Sequence, residues 1–215
     1  MTAKIDIHCV RGSAIGDWIP ALARLRIAVF REFPYLYDGT TEYEEKYLQT
    51  YVNSATSIAV LAAVDGEVIG ASTGLALADE DPAFIRPFSD SGYKVDEIFY
   101  CAESVLLPDY RGMGVYKHFF REREAHARNF PAINTLAFCA VQRSPSHPLR
   151  PDNYVPLDSI WRHFGYCRRR ELATTFHWKD IDEVESSAKP MVFYTKQLAR
   201  KLHQLPEFSR RDRLI

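Results

Sequence analysis

Cysteine pairs at the Cys-x-x-Cys spacing are absent from the 215 residues, and the four cysteines present (Cys9, Cys101, Cys139, Cys167) stand far apart, in or beside apolar segments. That excludes a zinc ribbon, a thioredoxin-type redox centre and a disulfide scaffold, and predicts reduced, packed thiols. No histidine, cysteine and carboxylate cluster has metal-ligand spacing, so no metal is expected. Neither sign of charge is in excess: 27 Lys and Arg against 28 Asp and Glu leave a formal net charge of -1. A whole-molecule basic field for nucleic acid or an anionic membrane is thereby excluded. No apolar run approaches the roughly 18 residues of a membrane span. The opening residues Met1-Thr2-Ala3-Lys4-Ile5-Asp6-Ile7 lack the apolar core of a secretion signal, so a cytoplasmic location is expected. Internal repeats and low-complexity tracts are missing too.

What is present reads as one α/β domain over residues 1–215, with 47% hydrophobic and 26% charged residues. Ile5, Ile7 and Cys9 alternate with polar neighbours, predicting a strand over about 4 to 10. Asp17 as N-cap, Pro20 in the first turn and helical spacing of Ile19, Leu22, Leu25, Val29 and Phe33 predict a helix ending near Pro34. Thr41-Glu42-Tyr43-Glu44 fits a capping box opening a second helix. Ser57 to Val64 and Glu67 to Leu77, joined by Asp65-Gly66, form a hairpin. Residues 78 to 93 have loop composition with one short helical turn at most, and a long strand is expected from Glu97 to Leu107. A helix over 114–128, a strand over 133–141, a proline-rich extended connection over 142–156 and a short helix stopped by Gly165 follow. Glu171 to Trp178 and Met191 to Gln197 read as strands, and a basic tail begins at about 199.

The segment that carries chemistry is Ser104-Val105-Leu106-Leu107-Pro108-Asp109-Tyr110-Arg111-Gly112-Met113-Gly114-Val115, a strand turning sharply into a helix. Two glycines let the backbone turn tightly and expose its amides, while the helix start adds unpaired N–H groups and partial positive charge, which together make an anion cradle. It is not a Walker loop, since Gly-Lys-Ser/Thr is missing, nor a dinucleotide fingerprint, since the third glycine is missing.

The stretch resembles the central motif of the GNAT (Gcn5-related N-acetyltransferase) family, a strand ending in Pro-x-x-Arg-Gly-x-Gly at the mouth of a helix. The order of elements over residues 4 to 197 is similar too, and Trp161-x-x-x-Gly165-Tyr166 resembles the family's Tyr-x-x-x-Gly-Phe. The resemblance implies an α/β (α+β) fold: a mixed, mostly antiparallel sheet of six to seven strands flanked by helices, with a splayed strand pair around the acyl-CoA site. It also implies acetyl-CoA or another acyl-CoA as co-substrate, held by Arg111, Gly112, Met113, Gly114 and Val115 at the pyrophosphate and by Val105, Leu106 and Leu107 along the pantetheine. Two departures stand out. Tyr116 occupies a position where the family usually has Gly or Ala, and Trp161 replaces a tyrosine that protonates the leaving thiolate. An indole does not ionise usefully, so Tyr154, Tyr166 or solvent inherits that role.

An amine must lose a proton before it attacks, which makes Glu103 and Glu97 on the motif strand the candidate bases. The acceptor side is expected from the first two helices and the aromatic, acidic segment between them, with Phe33, Tyr35, Tyr37 and, across the site, Trp161 as substrate contacts. Rings beside Glu42, Glu44 and Glu45 suit a cationic amine. Arg24, Arg26 and Arg31 suit equally a carboxylate-bearing acceptor, and the residues alone do not choose. The expected activity is acyl transfer to a small-molecule primary amine by direct attack in a ternary complex. The alternatives are a protein or peptide acceptor, or an acyl-CoA sensor without turnover. Exposed edge strands are compatible with a homodimer.

Overall fold

The computed structural model describes residues 4–199. The basic tail from about 199 lies, beyond its first residue, outside them. An eight-stranded sheet runs through the molecule. Its elements are β1 (Asp6–Arg11), α1 (Ile19–Phe30), α2 (Thr41–Asn53), β2 (Ile58–Val64), β3 (Glu67–Ala76), α3 (Pro82–Asp90), β4 (Ile98–Tyr100), β5 (Ser104–Leu106), α4 (Val115–Ala127), β6 (Thr135–Val141), α5 (Asp158–His163), β7 (Cys167–Trp178) and β8 (Ser187–Gln197). The strand order is β1-β2-β3-β4-β6-β8-β7, with β5 also paired to β3. Among the described residues only β4 and β6 pair in parallel; every other ladder there is antiparallel. No helix among the described residues is long and apolar enough to cross a membrane.

The middle of the sheet is buried on both faces, so β2 and β6 have no exposed residue. On one face Leu22 and Leu25 of α1, Leu48 and Tyr51 of α2 and Phe88 of α3 join a core with Leu61, Leu75 and Phe193. On the other, Val115, Phe119 and Phe120 of α4 pack on Val60, Phe99 and Phe138, with Trp161 of α5 alongside. Phe119 is fully buried; an aromatic ring so placed contributes on the order of 3 kcal/mol over an exposed one.

Local signals set several ends. Asp65 and Gly66 both take positive φ (50° and 85°), as a two-residue hairpin turn of primed type requires. Gly165, at φ 88°, terminates α5. Elsewhere tertiary contacts override the local reading. α1 stops at Phe30, so Phe33 sits in the following loop, and α2 is capped by Thr40, whose hydroxyl accepts from the Tyr43 amide, rather than by Thr41. Glu44, freed from the predicted capping box, is wholly buried. Residues 82–90, expected as loop, form α3, with Asp81 as N-cap and Pro82 in the first turn. Pro87 cannot bond back to the Ala83 carbonyl, but Thr174 Oγ1 of β7 donates to that carbonyl instead, at 3.1 Å. All four cysteines are unpaired thiols; Cys101 and Cys139 are buried, whereas Cys167 is exposed, contrary to the packed placement expected.

Candidate active site

The single strand predicted over 97–107 is two strands separated by a bulge. β3 pairs Leu75 with Tyr100 on one side of it and Ser72 with Ser104 on the other. Between them the Thr73 carbonyl accepts from the Ala102 amide (3.1 Å), while the Thr73 amide donates to the Glu103 carbonyl (3.2 Å), so one residue faces two. Buried Arg123 of α4 pins the bulge, its guanidinium donating to the carbonyls of Thr73 and Glu103 at 3.3 and 3.0 Å. Before the bulge, β4 pairs with β6; after it, β5 does not. The strands therefore diverge, and the sheet opens.

Two cavities meet in that opening. Since neighbouring residues of a strand face opposite sides, Ser104 and Ala140 line a groove of about 1170 Å³ on the α4 face, while their predecessors Glu103 and Cys139 line a cavity of about 590 Å³ on the face of α1–α3. Phe30 and Tyr35 line both, so the two spaces adjoin at these rings.

The groove runs over the glycine turn. Gly112 and Gly114 sit at φ 79° and 81°, and Gly114 is the N-cap of α4. The amides of residues 112–116 donate to no acceptor among the described residues, leaving a row of donors at the positive end of a 13-residue helix. The Arg111 side chain turns away from them: its Nε donates to the Leu106 carbonyl at 3.1 Å, and its two terminal nitrogens bind Glu32 in a fork at 2.8 and 2.9 Å. Tyr116 lies along the groove floor and its hydroxyl donates to the Ser104 carbonyl at 2.9 Å. The two carbonyls that β5 presents away from β3 are thus engaged by side chains, and its tyrosine departure braces the splay.

The smaller cavity is built on a buried charge cluster. Arg26 of α1 is clamped between Glu44 of α2 and Glu103 of the bulge, the latter contact at 2.7 Å. Its guanidinium also lies over the rings of Tyr47 (4.5 Å) and Phe30 (5.1 Å). The pairing of Arg26 with Glu103 and Glu44 outweighs the cost of burial and raises its pKa further, keeping it charged. Each glutamate has its second oxygen, Oε1, without a hydrogen-bond partner. Burial pushes nearby Glu80 up to about 7. Tyr37 and Tyr43 complete the wall toward α2; burial, and then the Glu44 carboxylate, hold the Tyr37 phenol protonated.

Tyr35 is placed by the β7–β8 end of the sheet. Arg143 donates to the carbonyls of Pro34 and Tyr35, both at 2.7 Å, and itself pairs with buried Asp180. Trp178 Nε1 donates to the Tyr35 carbonyl at 3.0 Å, and Tyr37 bridges to Asp180. No hydrogen bond engages the Tyr35 hydroxyl among the described residues. Burial holds its phenol protonated well above the ordinary range.

No protein-family model matches the chain, and no curated protein matches it in sequence. Solved structures do match in fold. A ribosomal-protein-alanine N-acetyltransferase from Brucella melitensis superposes with TM-score 0.58 at 13% identity, covering 90% of this chain and 99% of that one. Arabidopsis thaliana NAA60, solved with a bisubstrate analogue, gives 0.56 at 13% identity over 91% and 100%. An acetyltransferase of the GNAT family from Streptococcus pneumoniae gives 0.55 at 13% over 91% and 100%. The fold is the GNAT fold.

Within this GNAT fold the predicted site residues separate into groups. Leu106, Arg111, Gly112, Gly114 and Val115 line the groove, as do Phe33, Tyr35, Tyr154 and Trp161. Val105 does not, being buried in the core beneath α1, and Leu107 packs between the two cores. Met113 points outward, 57% exposed. Glu103 and Tyr37 line the smaller cavity. Glu97 is in neither: at the far end of β4 it binds Asn134 Nδ2 (2.6 Å) and Lys94 (3.2 Å), remote from the splay, so it is withdrawn as a base. Tyr166 is buried against Cys101 Sγ and is withdrawn as the acid. Trp161 packs on Phe138 and Tyr194 as a wall. Tyr154 stands edge-on to Phe33 at 4.6 Å with Arg150 over its ring.

Sequence reasoning misses the pairing of Arg26 with Glu103 and the anchoring role of Arg143. One signal is present: Arg26 lies one residue beyond Leu25 and four beyond Leu22, beside the buried stripe of α1, where a cation needs a buried partner. Nothing local marks Arg143, whose acceptors lie 109 and 108 positions earlier.

Proposed function

We propose that this protein transfers an acetyl or other short acyl group from coenzyme A to the primary amine of a small molecule, by direct attack in a ternary complex. The observation that carries the reading is the meeting of an amide-lined groove and a carboxylate-bearing cavity across the splay at Tyr35. Acyl-CoA lies in the groove, its pyrophosphate on the amides of 112–116 and its pantetheine along β5. Because the Ser104 and Leu106 carbonyls are already engaged, that arm pairs with β5 through its outward amides. The amine enters from the opposite face and gives a proton to Glu103 Oε1. Its nitrogen bonds to the thioester carbon, a second proton leaves that nitrogen to solvent as the C–S bond breaks, and the leaving sulfur takes the Tyr35 hydroxyl proton, which Tyr35 recovers through solvent. Arg26 positions Glu103. Tyr154, farther along the groove wall, contacts the acyl-CoA arm in this reading.

Calorimetric titration with acetyl-CoA and desulfo-CoA tests the first half; both bind at about micromolar Kd or tighter. Thiol release with added amines tests the second. Glu103→Gln lowers kcat by about 100-fold or more with acetyl-CoA affinity unchanged, and Tyr35→Phe lowers kcat by about tenfold or more. Folded protein that binds neither coenzyme overturns the reading. Binding without turnover, and without loss of function in Glu103→Gln, points to a sensor.

A further inference from the structure

From the contents of the smaller cavity, and resting on the acyl-transfer reading, we infer that the acceptor is a monocationic amine on an apolar or aromatic body, with no carboxylate of its own. The arginines of the first helical segment leave this open in sequence, since any of them suits a carboxylate. In the fold all three are committed. Arg24 faces Glu67 on the surface at 3.8 Å, Arg31 holds Asp38 at 2.8 Å, and Arg26 is shared by Glu44 and Glu103. Lys179, the lysine in the cavity lining, is paired with Asp38 at 2.7 Å.

The groups left over in the inner wall are acceptors. Glu44 Oε1 and Glu103 Oε1 accept no hydrogen bond of ordinary geometry and belong to residues that are 0% and 6% exposed; the Tyr37 hydroxyl interacts with the Glu44 carboxylate and leaves it room for a stronger donor. Two carboxylates and one guanidinium leave one uncompensated negative charge in a space otherwise walled by rings. A ligand ammonium supplies what is missing: N–H donors for both orphan oxygens and one positive charge, lying against the faces of Tyr37 and Tyr47. The lining also includes Phe84, Tyr100, Phe176 and Trp178, which suit an apolar body, while its remaining basic side chain, His177, is exposed to solvent. An α-carboxylate on the same ligand would be forced beside Glu44 and Glu103 with nothing to neutralise it. The volume of about 590 Å³ falls in the range of small-molecule sites.

The test uses matched pairs: 2-phenylethylamine with phenylalanine, tyramine with tyrosine, and hexylamine with 2-aminoheptanoic acid. Each is titrated calorimetrically into the full chain with and without desulfo-CoA, and assayed with acetyl-CoA by thiol release. The monoamines bind and are acylated with kcat/KM about 100-fold or more above their carboxylated partners, the cost of an unrelieved like charge. Glu44→Gln, which removes the excess negative charge and spares Glu103, weakens monoamine binding about tenfold and leaves acetyl-CoA binding unchanged. Uncharged 2-phenylethanol, tested on the unaltered protein, fails to compete with 2-phenylethylamine, so the charge requirement is read even if the variant does not fold. Equal or better use of the carboxylated partners, competition by the alcohol, or acylation of peptides alone overturns the inference. So does binding of acetyl-CoA with no binding of any monoamine. Failure of acetyl-CoA itself to bind sinks the acyl-transfer reading instead, while the titrations without coenzyme still decide what the cavity holds.

Discussion

Replacing Arg26 with methionine keeps most of the buried stem and removes the guanidinium that Glu44 and Glu103 share. Each carboxylate spends one oxygen on that group and has no partner for the other. Without it, two like charges face one another where water enters poorly. Breaking a buried ion pair from one side costs roughly 3–5 kcal/mol, a large part of the roughly 5–15 kcal/mol that holds a domain together. At about 2–4 °C per kcal/mol for a chain of this size, the melting temperature falls by roughly 6–20 °C. The loss depends on pH in a definite direction. In the variant, folded carboxylates relieve their repulsion by holding a proton that the unfolded chain releases, so the folded state binds more protons and stability declines as pH rises. The deficit is therefore larger at pH 8 than at pH 5. Urea unfolding of both proteins at the two pH values measures it, and Arg26→Met with Glu44→Gln recovers part of the loss by leaving one carboxylate instead of two. A deficit under about 1 kcal/mol at pH 8, an equal deficit at both pH values, or no recovery in the double variant refutes the account of this cluster.

Gly114→Ala places a side chain at φ 81°; the strain costs about 1–2 kcal/mol and swings the amides of 112–116, so calorimetry finds desulfo-CoA bound about tenfold more weakly. Glu80, raised by burial to about 7 from 4.5, holds a proton in the folded state, so its contribution is full below pH 4.5 and is lost as pH rises through 7. Glu80→Gln removes that slope: urea melts find the two proteins alike near pH 4.5 and the variant more stable by about 3 kcal/mol at pH 8. Gly39→Ala puts its Cβ 2.2 Å from the Tyr37 ring, which must turn out of the smaller cavity; 2-phenylethylamine then binds about threefold to tenfold more weakly while acetyl-CoA binding holds.

Features written in short stretches of chain are legible in the sequence alone. The glycine turn at 112–114, the Asp65-Gly66 hairpin and the Gly165 helix stop each depend on backbone conformations that a few neighbouring residues dictate. The strand–turn–helix placement of the amide cradle follows from them. What escapes is whatever depends on partners distant in sequence. α3 is hidden because Pro87 is a breaker until Thr174 satisfies the carbonyl it strands. Glu44 passes for a cap residue because its real partner, Arg26, lies 18 positions earlier on another helix.

The division has a physical basis. By itself the sequence determined most of the segments that become strands and helices and the place of the glycine turn with its open amides, since periodicity and φ preference act over a few residues. Only the tertiary structure decided which carboxylate faces the smaller cavity, because the bulge at 102–103 and its pin, Arg123, aim Glu103 into the splay and leave Glu97 outside it. Likewise, only the packing of α1 and α2 decided that the arginines are spent and the glutamates left wanting, for a buried charge takes its meaning from the groups that surround it.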